Sequence, residues 1–125
     1  MNDAIRTALA TDQTIDITTI GRRSGQPRRI ETWFYRAGGK LYLTGSPGKR
    51  DWYANLEANS AFTFHLKQSV IADLSATAAP VTDESERRRI LTAILTDQRQ
   101  LGDLDAWMAG SPLAEIHLDE RAESS

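Results

Sequence analysis

The chain has 125 residues, 40% of them hydrophobic and 26% charged, which predicts one globular domain spanning residues 1–125 around a single core. It contains no cysteine, which excludes disulfides, thiolate metal sites and a cysteine nucleophile. The formal net charge is −2, and the sequence shows neither a membrane-spanning segment nor a signal peptide, so we expect a cytoplasmic protein that does not bind nucleic acid.

The first elements of the chain read as a helix followed by three strands. Residues 1–12 have helical spacing of apolar side chains. Strands are predicted at residues 14–20, 28–37 and 40–45, which alternate in polarity or are rich in aromatic and β-branched side chains. Asp51 is expected to cap a helix of two turns that ends at Asn59 and Ser60.

The second half predicts two more strands, a helix and a last strand. Residues 61–66 and 70–81 alternate, with Pro80 at the end of the second strand or at a sheet edge. Thr82 or Asp83 is expected to cap the next helix, and Asp83 and Glu86 have capping-box spacing. Gly102 is expected to break or bend this helix. The next segments are an edge strand at residues 113–118 and a disordered tail at residues 119–125.

The order of elements is therefore α-β-β-β-α-β-β-α-β. Six short strands joined mostly by tight turns favour an antiparallel barrel with helices packed outside, in a mainly β (α+β) protein. A Rossmann fold is excluded because it needs a helix after nearly every strand.

Positive charge is concentrated in one part of the chain. Residues 22–50 hold eight basic residues and one acidic residue, Glu31. Residues 61–125, by contrast, carry six basic and eleven acidic residues. A local positive field in an acidic protein suits a small anionic ligand better than a long polyanion. A solvated, charged hairpin is the alternative interpretation.

The segment GRRSGQPR, residues 21–28, is called the first Gly loop. Gly21 and Gly25 would let backbone amides approach an oxyanion, and Ser24 adds a hydroxyl donor. Planar guanidinium groups for phosphate or carboxylate come from Arg22, Arg23, Arg28 and Arg29. The loop is not a Walker loop, because a strand follows it where a helix would be needed.

A second Gly loop, residues 45–50 (GSPGKR), follows a strand and leads into a helix. Free amides and the macrodipole at a helix N-terminus attract anions. Ser46, Gly48, Lys49 and Arg50 would cluster there, so the two loops could hold one ligand from two sides. The alternative is an ordinary loop and a capped helix, with Trp52 as a core residue.

Other motifs carry less chemistry. His65 and His117 each lie in a predicted strand, and neither has a partner at metal-ligand spacing, so we expect strand-face histidines and no metal site. The run of three arginines at residues 87–89 is interpreted as a solvated helix face.

Three segments together resemble the deazaflavin (F420)-dependent nitroreductase family. They are ITTIGRRSGQPRR, ETWFY and LYLTGSPGKRDWYANLEANSAFTF, and the likeness spans residues 17–95. The resemblance implies a split β-barrel of the FMN-binding type that binds coenzyme F420, an 8-hydroxy-5-deazaflavin. The tail of this coenzyme carries a phosphodiester and an oligoglutamate chain, which matches the basic loops.

The resemblance also implies residue roles by motif position. The phosphate and the tail carboxylates would be held by Arg22, Arg23, Ser24 and Arg28. Thr44, Gly45, Ser46 and Gly48 would lie along the deazaflavin ring. Lys49 and Arg50 are further candidate cofactor-binding residues, because either could replace the cation that many relatives carry where this chain has Pro47. Trp52 would pack near the ring or the tail, and Trp33 would point into the substrate pocket. Ser46 would hydrogen-bond the ring or the developing charge.

This chain departs from the family pattern at several positions, which limits the family properties that we expect it to share. Many relatives have Lys where this chain has Arg23 and Pro47, and their Tyr-rich C-terminal segment is absent here. Substrate preference is therefore not transferred. Tyr35 and Tyr53 are candidate proton donors if they reach the pocket.

The predicted activity is hydride transfer from the reduced deazaflavin to a quinone, an enone or a nitroaromatic compound. Two alternatives remain open at this point. One is an FMN-binding split-barrel protein, and the other is a non-enzymatic carrier of fatty acids or other amphiphiles. A homodimer is compatible with this class of barrel.

Overall fold

The structure, a computed structural model, describes residues 1–119. The helices are α1 (Asp3–Thr11), α2 (Asp51–Ala58), α3 (Glu84–Asp97) and α4 (Leu104–Gly110), with a 3-10 turn at Leu101–Asp103. The strands are β1 (Thr14–Ile20), β2 (Pro27–Ala37), β3 (Lys40–Thr44), β4 (Ala61–Leu66), β5 (Ala72–Pro80) and β6 (Leu113–Leu118). Residues 120–125 of the predicted tail lie outside the described residues.

The six strands form a closed antiparallel barrel in the order β1-β2-β3-β6-β5-β4, which confirms the predicted antiparallel barrel. Closure comes from β1, which pairs with β2 on one side and β4 on the other, so that Ile17 lies opposite both Ile30 and Phe64. The prediction that residues 113–118 form an edge strand is wrong, because β6 pairs with both β3 and β5. In a closed barrel every strand has two neighbours.

Two apolar clusters hold the fold together. The barrel interior is filled by alternate strand residues such as Ile17, Phe34 and Phe64, all at most 1% exposed, and α1 and α2 pack against its ends. The second cluster lies outside the barrel, where Tyr42 of β3 packs under α3 and Trp107 of α4. Burial of this much apolar surface is the main stabilising term of the fold.

The helix predicted after Asp83 is two helices. Its start is confirmed, because the Asp83 carboxylate accepts a hydrogen bond of 2.9 Å from the Glu86 amide. The break comes earlier than predicted, since α3 ends at Asp97 and Arg99 has a positive φ of 58°. The chain then passes through the 3-10 turn, which contains Gly102, before α4 begins.

The interpretation of residues 87–89 as a solvated helix face is wrong for Arg87. Its guanidinium donates to the backbone oxygens of Trp107, Met108 and Ser111 at 3.0–3.3 Å. These carbonyls lie at the C-terminal end of α4, where a cation compensates the helix dipole. Arg87 therefore ties α3 to α4, whereas Arg88 and Arg89 are exposed.

His65 is a structural residue of β4. It is 6% exposed, and its ring nitrogens lie 2.7 Å from the Thr18 hydroxyl and 2.7 Å from the Asp73 carboxylate. Within residues 1–119, no group of three or more acidic or histidine side chains is placed to hold a metal ion. In the same range no helix is long and apolar enough to cross a membrane.

Candidate functional site

Two adjoining cavities lie beside α2. The arginine cavity, between the first Gly loop and α2, has a volume of about 480 Å³. The helix cavity, between the second Gly loop, α2 and the segment after α4, has a volume of about 730 Å³. Arg22 and Asp51 line both cavities, so the two spaces meet at this pair. The predicted approach of the two basic loops to one region is therefore present.

Most of the predicted cofactor residues line these cavities. The arginine cavity contains Arg22, Arg23, Ser24, Arg28 and Trp52. The helix cavity contains Arg22, Gly48, Lys49 and Arg50. The predicted residues that line neither cavity are Trp33, Thr44, Gly45 and Ser46.

The first Gly loop is a tight turn closed by its own backbone. The Gly21 amide donates to the Gln26 carbonyl and the Gly25 amide to the Gly21 carbonyl, each at 2.9 Å. These two amides are not available to an oxyanion, which corrects the reason given for the glycines. Gly25 has a φ of 70°, a conformation that glycine adopts at little cost. The glycines therefore shape the loop, and its arginine and serine side chains remain the candidate anion-binding groups.

The four arginines of this region have different surroundings. Arg29 points to the outer face of the barrel, where its Nε lies 3.0 Å from Asp16 Oδ2. Arg22 lies 3.4 Å from Asp51 Oδ1. Within residues 1–119, neither Arg23 nor Arg28 is in an ion pair. The arginine cavity therefore has more cationic than anionic side chains, which favours an anionic ligand.

Asn55 connects the first Gly loop to α2. Its Oδ1 accepts hydrogen bonds of 3.0 Å from both the backbone amide and the Nη1 of Arg22. Its Nδ2 donates to Thr19 Oγ1 at 3.2 Å, and both Asn55 and Thr19 are at most 4% exposed. This buried network fixes the position of Arg22 at the junction of the two cavities.

Sequence reasoning assigned no role to Thr19 and Asn55, and it gave Asp51 only the role of a helix cap. The signal for Asn55 was its helical spacing with Trp52 and Leu56, which places an amide on the buried face of α2. The prediction that Asp51 caps α2 is wrong, because Arg50 holds that position and makes no side-chain cap. Asp51 is instead the first helical residue, and its carboxylate faces Arg22.

Arg50 folds over the second Gly loop. Its Nη2 donates to the Ser46 carbonyl at 2.9 Å and lies 3.4 Å from Ser46 Oγ, while its Nη1 donates to the Gly48 carbonyl at 3.0 Å. The Gly48 amide donates to Gly110 at 3.0 Å, which attaches the loop to the end of α4. Arg50 is therefore largely occupied by its own loop, and Lys49 remains exposed at the cavity.

Thr44 and Trp33 stand apart from the cavities for different reasons. Thr44 is 3% exposed, and its hydroxyl donates at 2.5 Å to the carbonyl of Pro112, a residue of the helix cavity wall. Trp33 is 46% exposed. By strand alternation it lies on the face of β2 opposite Arg28 and Ile30, which line the arginine cavity.

Two consecutive residues at the start of α2 serve the two cavities. Trp52 is 6% exposed and lines the arginine cavity, so it is both a core residue and part of the site. Tyr53 lines the helix cavity, and its ring meets Trp52 edge-on with centroids 6.0 Å apart. Tyr35, the other candidate proton donor, lines a separate cavity of about 210 Å³ beside Arg36.

The closed six-stranded barrel with its outer helices defines the class of protein, the split β-barrel proteins of the FMN-binding type. A protein of the pyridoxinephosphate oxidase family from Clostridium acetobutylicum superposes with a TM-score of 0.64 at 14% identity, over 91% of this chain and 80% of that one. For a conserved hypothetical protein of Mycobacterium tuberculosis the TM-score is 0.73 at 19% identity, over 96% and 82%. For the F420-H2 dependent reductase FDR-A it is 0.58 at 16% identity, over 85% and 95%.

The sequence identifies the family within this class. The model of the F420H(2)-dependent quinone reductase family matches residues 2–104. The chain belongs to this family and is an F420-dependent oxidoreductase, which is the first of the three functions that the sequence left open. Its cofactor is coenzyme F420.

Proposed function

We propose that the protein reduces a quinone by hydride transfer from reduced coenzyme F420, with the coenzyme lying across both cavities. The observation that carries this proposal is the meeting of two chemically different cavities at Arg22 and Asp51. One is lined by cations that suit a polyanionic tail, and the other is wide enough for a ring system. A single ligand with a charged tail and a planar head suits such a pair.

The tail fits the arginine cavity. Within residues 1–119, Arg23 and Arg28 have no acidic partner, and Arg22 is held in place by Asn55. Guanidinium groups bind phosphodiesters and carboxylates through paired, charge-assisted hydrogen bonds. Ser24 adds a hydroxyl to the same wall. These four side chains would hold the phosphate and the glutamate carboxylates.

The ring fits the helix cavity. Its volume of about 730 Å³ lies within the range of small-molecule sites, and its walls include Gly48, Tyr53 and Pro112. Lys49 and Arg50 supply positive charge beside the second Gly loop. When bound, the coenzyme supplies the hydride. The residues of the chain bind it, orient it and exclude water from the reacting atoms.

Three predicted roles are indirect or depend on resemblance. Thr44 would act through Pro112, whose carbonyl it binds. Ser46, which Arg50 contacts, would reach the ring only from the loop edge. A substrate contact by Trp33 stays a prediction, and so does a homodimer. Replacing Trp33 by Phe and measuring KM for the quinone tests the predicted substrate contact of Trp33.

Enones and nitroaromatic compounds are further acceptors within the same proposal. They share with quinones an electron-poor π system bearing an oxygen that gains charge on reduction. Comparison of kcat/KM for menadione, a cyclic enone and a nitroimidazole would rank the three classes. We expect menadione to rank first.

Spectroscopic titration tests the proposal directly. The purified protein is titrated with oxidised F420 and with FMN, and oxidation of reduced F420 is then followed with menadione. We expect micromolar binding of F420, weaker binding of FMN and menadione-dependent oxidation. Tight FMN binding without F420 binding would contradict the proposal. So would binding of fatty acids with no oxidation of reduced F420 by any quinone.

A further inference from the structure

We propose that the Tyr53 hydroxyl donates a hydrogen bond to the carbonyl oxygen of the quinone and transfers its proton to that oxygen during reduction. This inference rests on the proposed function, because it needs the acceptor to lie in the helix cavity. It assigns a catalytic role to a residue whose position the sequence could not decide.

Geometry selects Tyr53 over Tyr35. Tyr53 lines the helix cavity together with residues of the second Gly loop, whereas Tyr35 lines a different cavity beside α3. The Tyr53 ring is fixed by the helix backbone and by its edge-on contact with Trp52. Within the described part of the chain no hydrogen bond engages its hydroxyl, which leaves that donor for a ligand.

The other polar groups of the cavity are less suited to this task. Arg50 and Arg22 cannot give up a proton in a protein, and both are engaged in the loops that they hold. Asp51 and Glu57 are hydrogen-bond acceptors when ionised. The Ser111 hydroxyl is buried beneath the cavity wall, out of contact with solvent. Lys49 is exposed at the rim.

The surroundings of Tyr53 keep its hydroxyl protonated. Burial raises its pKa above the ordinary value of about 10. The Glu57 carboxylate, one helical turn away, raises the pKa further, and the Arg87 guanidinium of α3 opposes this effect. The charged groups that share the cavity with Tyr53 are Arg22, Lys49, Arg50, Asp51 and Glu57. At neutral pH Tyr53 is therefore a neutral donor.

The step balances in atoms and electrons. When bound beside Gly48 and Tyr53 in the helix cavity, reduced coenzyme F420 would supply a hydride, that is two electrons and one proton, and the quinone would accept it. Negative charge then accumulates on a quinone oxygen, which receives the Tyr53 proton and completes the hydroquinone. Water at the mouth of the helix cavity returns a proton to the tyrosinate. A donor aimed at the oxygen where charge develops lowers the barrier.

The experiment compares Tyr53→Phe with Tyr35→Phe, a matched loss of a partly buried hydroxyl outside the site. With reduced F420 and menadione, we expect kcat of Tyr53→Phe to fall at least about tenfold, while the Kd of F420 changes less than about twofold. Tyr35→Phe should keep the wild-type kcat. A second variant, Glu57→Gln, lowers the pKa of Tyr53 and should move the alkaline limb of the pH–kcat profile to lower pH.

Binding without turnover gives an independent readout. Quenching of tryptophan fluorescence by menadione, in the presence of oxidised F420, should give a Kd about fivefold weaker for Tyr53→Phe than for wild type. If Tyr53→Phe kept the wild-type kcat, pH profile and Kd of menadione, only the proposed role of Tyr53 would be overturned. A wild-type protein that binds no F420 would overturn both the proposed function and this inference.

Discussion

The Asn55 carboxamide oxygen accepts two hydrogen bonds from Arg22, one from its backbone amide and one from its guanidinium, each 3.0 Å long. One side chain of α2 thereby fixes both the path of the first Gly loop and the direction of its first arginine. The amide nitrogen of Asn55 binds Thr19 of β1 at 3.2 Å. Barrel, loop and helix are joined at one buried residue where the two cavities meet.

Replacing Asn55 by Ala should destabilise the fold and weaken coenzyme binding together. The change leaves Thr19 and the Arg22 amide without their partner, and a buried group without a hydrogen bond costs about 1–3 kcal/mol. We expect a loss of about 2–4 kcal/mol in the free energy of unfolding, measured with urea. Asn59→Ala, at the exposed end of α2, should cost less than about 1 kcal/mol. Equal losses in the two variants would contradict the network.

The arginines of the first Gly loop should separate into ligands and surface residues. Arg23→Ala or Arg28→Ala should weaken F420 binding by about 1.5–3 kcal/mol, because each removes charge-assisted hydrogen bonds. The midpoint of thermal unfolding should barely change, since neither guanidinium is in an ion pair within residues 1–119.

Arg29 provides the control for that comparison. Its guanidinium is paired with Asp16 on the outer face of the barrel. Arg29→Ala should therefore leave the Kd of F420 unchanged in an isothermal titration at the same ionic strength. If Arg29→Ala lost as much affinity as Arg28→Ala, the arginines would act on F420 binding through long-range electrostatic attraction and not through direct contact.

Arg87→Ala should loosen the attachment of α4. The guanidinium donates to carbonyls at the end of α4, next to Ser111 and Pro112 of the helix cavity. We expect a loss of about 2–3 kcal/mol in the free energy of unfolding. Faster amide exchange in α4 should accompany it. Arg88 is the neighbouring exposed residue, and the free energy of unfolding of Arg88→Ala should stay within about 0.5 kcal/mol of wild type. An equal loss in both variants would argue against a stabilising attachment of α4 by Arg87.

Stability should depend on pH through Asp16. The Lys67 ammonium, 2.6 Å from Oδ1, is the main cause that lowers the pKa of Asp16, and Arg29 adds to it. A lowered pKa stabilises the folded state above the unfolded-state value of about 3.9, and this contribution disappears as pH falls through the folded-state pKa. Asp16→Asn should lower the free energy of unfolding by about 0.5–1 kcal/mol at pH 7. The difference in unfolding free energy between this variant and wild type should shrink below about pH 4.

Urea unfolding at several pH values measures that dependence. Asp3→Asn is the matched control, because the Asp3 side chain is fully exposed and 3.8 Å from Arg6. We expect no pH-dependent difference between Asp3→Asn and wild type. A deficit of Asp16→Asn that stays constant from pH 7 to pH 3 would show that packing, not charge, is responsible.

Local patterns in the sequence were sufficient to predict the strands, the barrel and the two basic loops. Alternation of polarity is a local property, because side chains of a strand point to opposite faces in turn. Residues 14–20 and 61–66 can therefore be predicted as strands before their pairing partners are known. The loop motifs, read as a resemblance, also determined the family and its cofactor, which the match over residues 2–104 confirms.

Which side chains share the site depends on contacts between segments that are distant in sequence. Arg28 and Arg29 are adjacent in sequence, yet they lie on opposite faces of β2, and barrel closure turns one toward α2 and the other toward Asp16. Asn55 and Arg22 are 33 positions apart, so no local pattern could pair them. Likewise Tyr53 and Tyr35 have the same chemistry, and the packing of α2 beside the second Gly loop places only Tyr53 in the helix cavity. Local periodicity fixes the elements of this protein, whereas contacts between distant segments fix its chemistry.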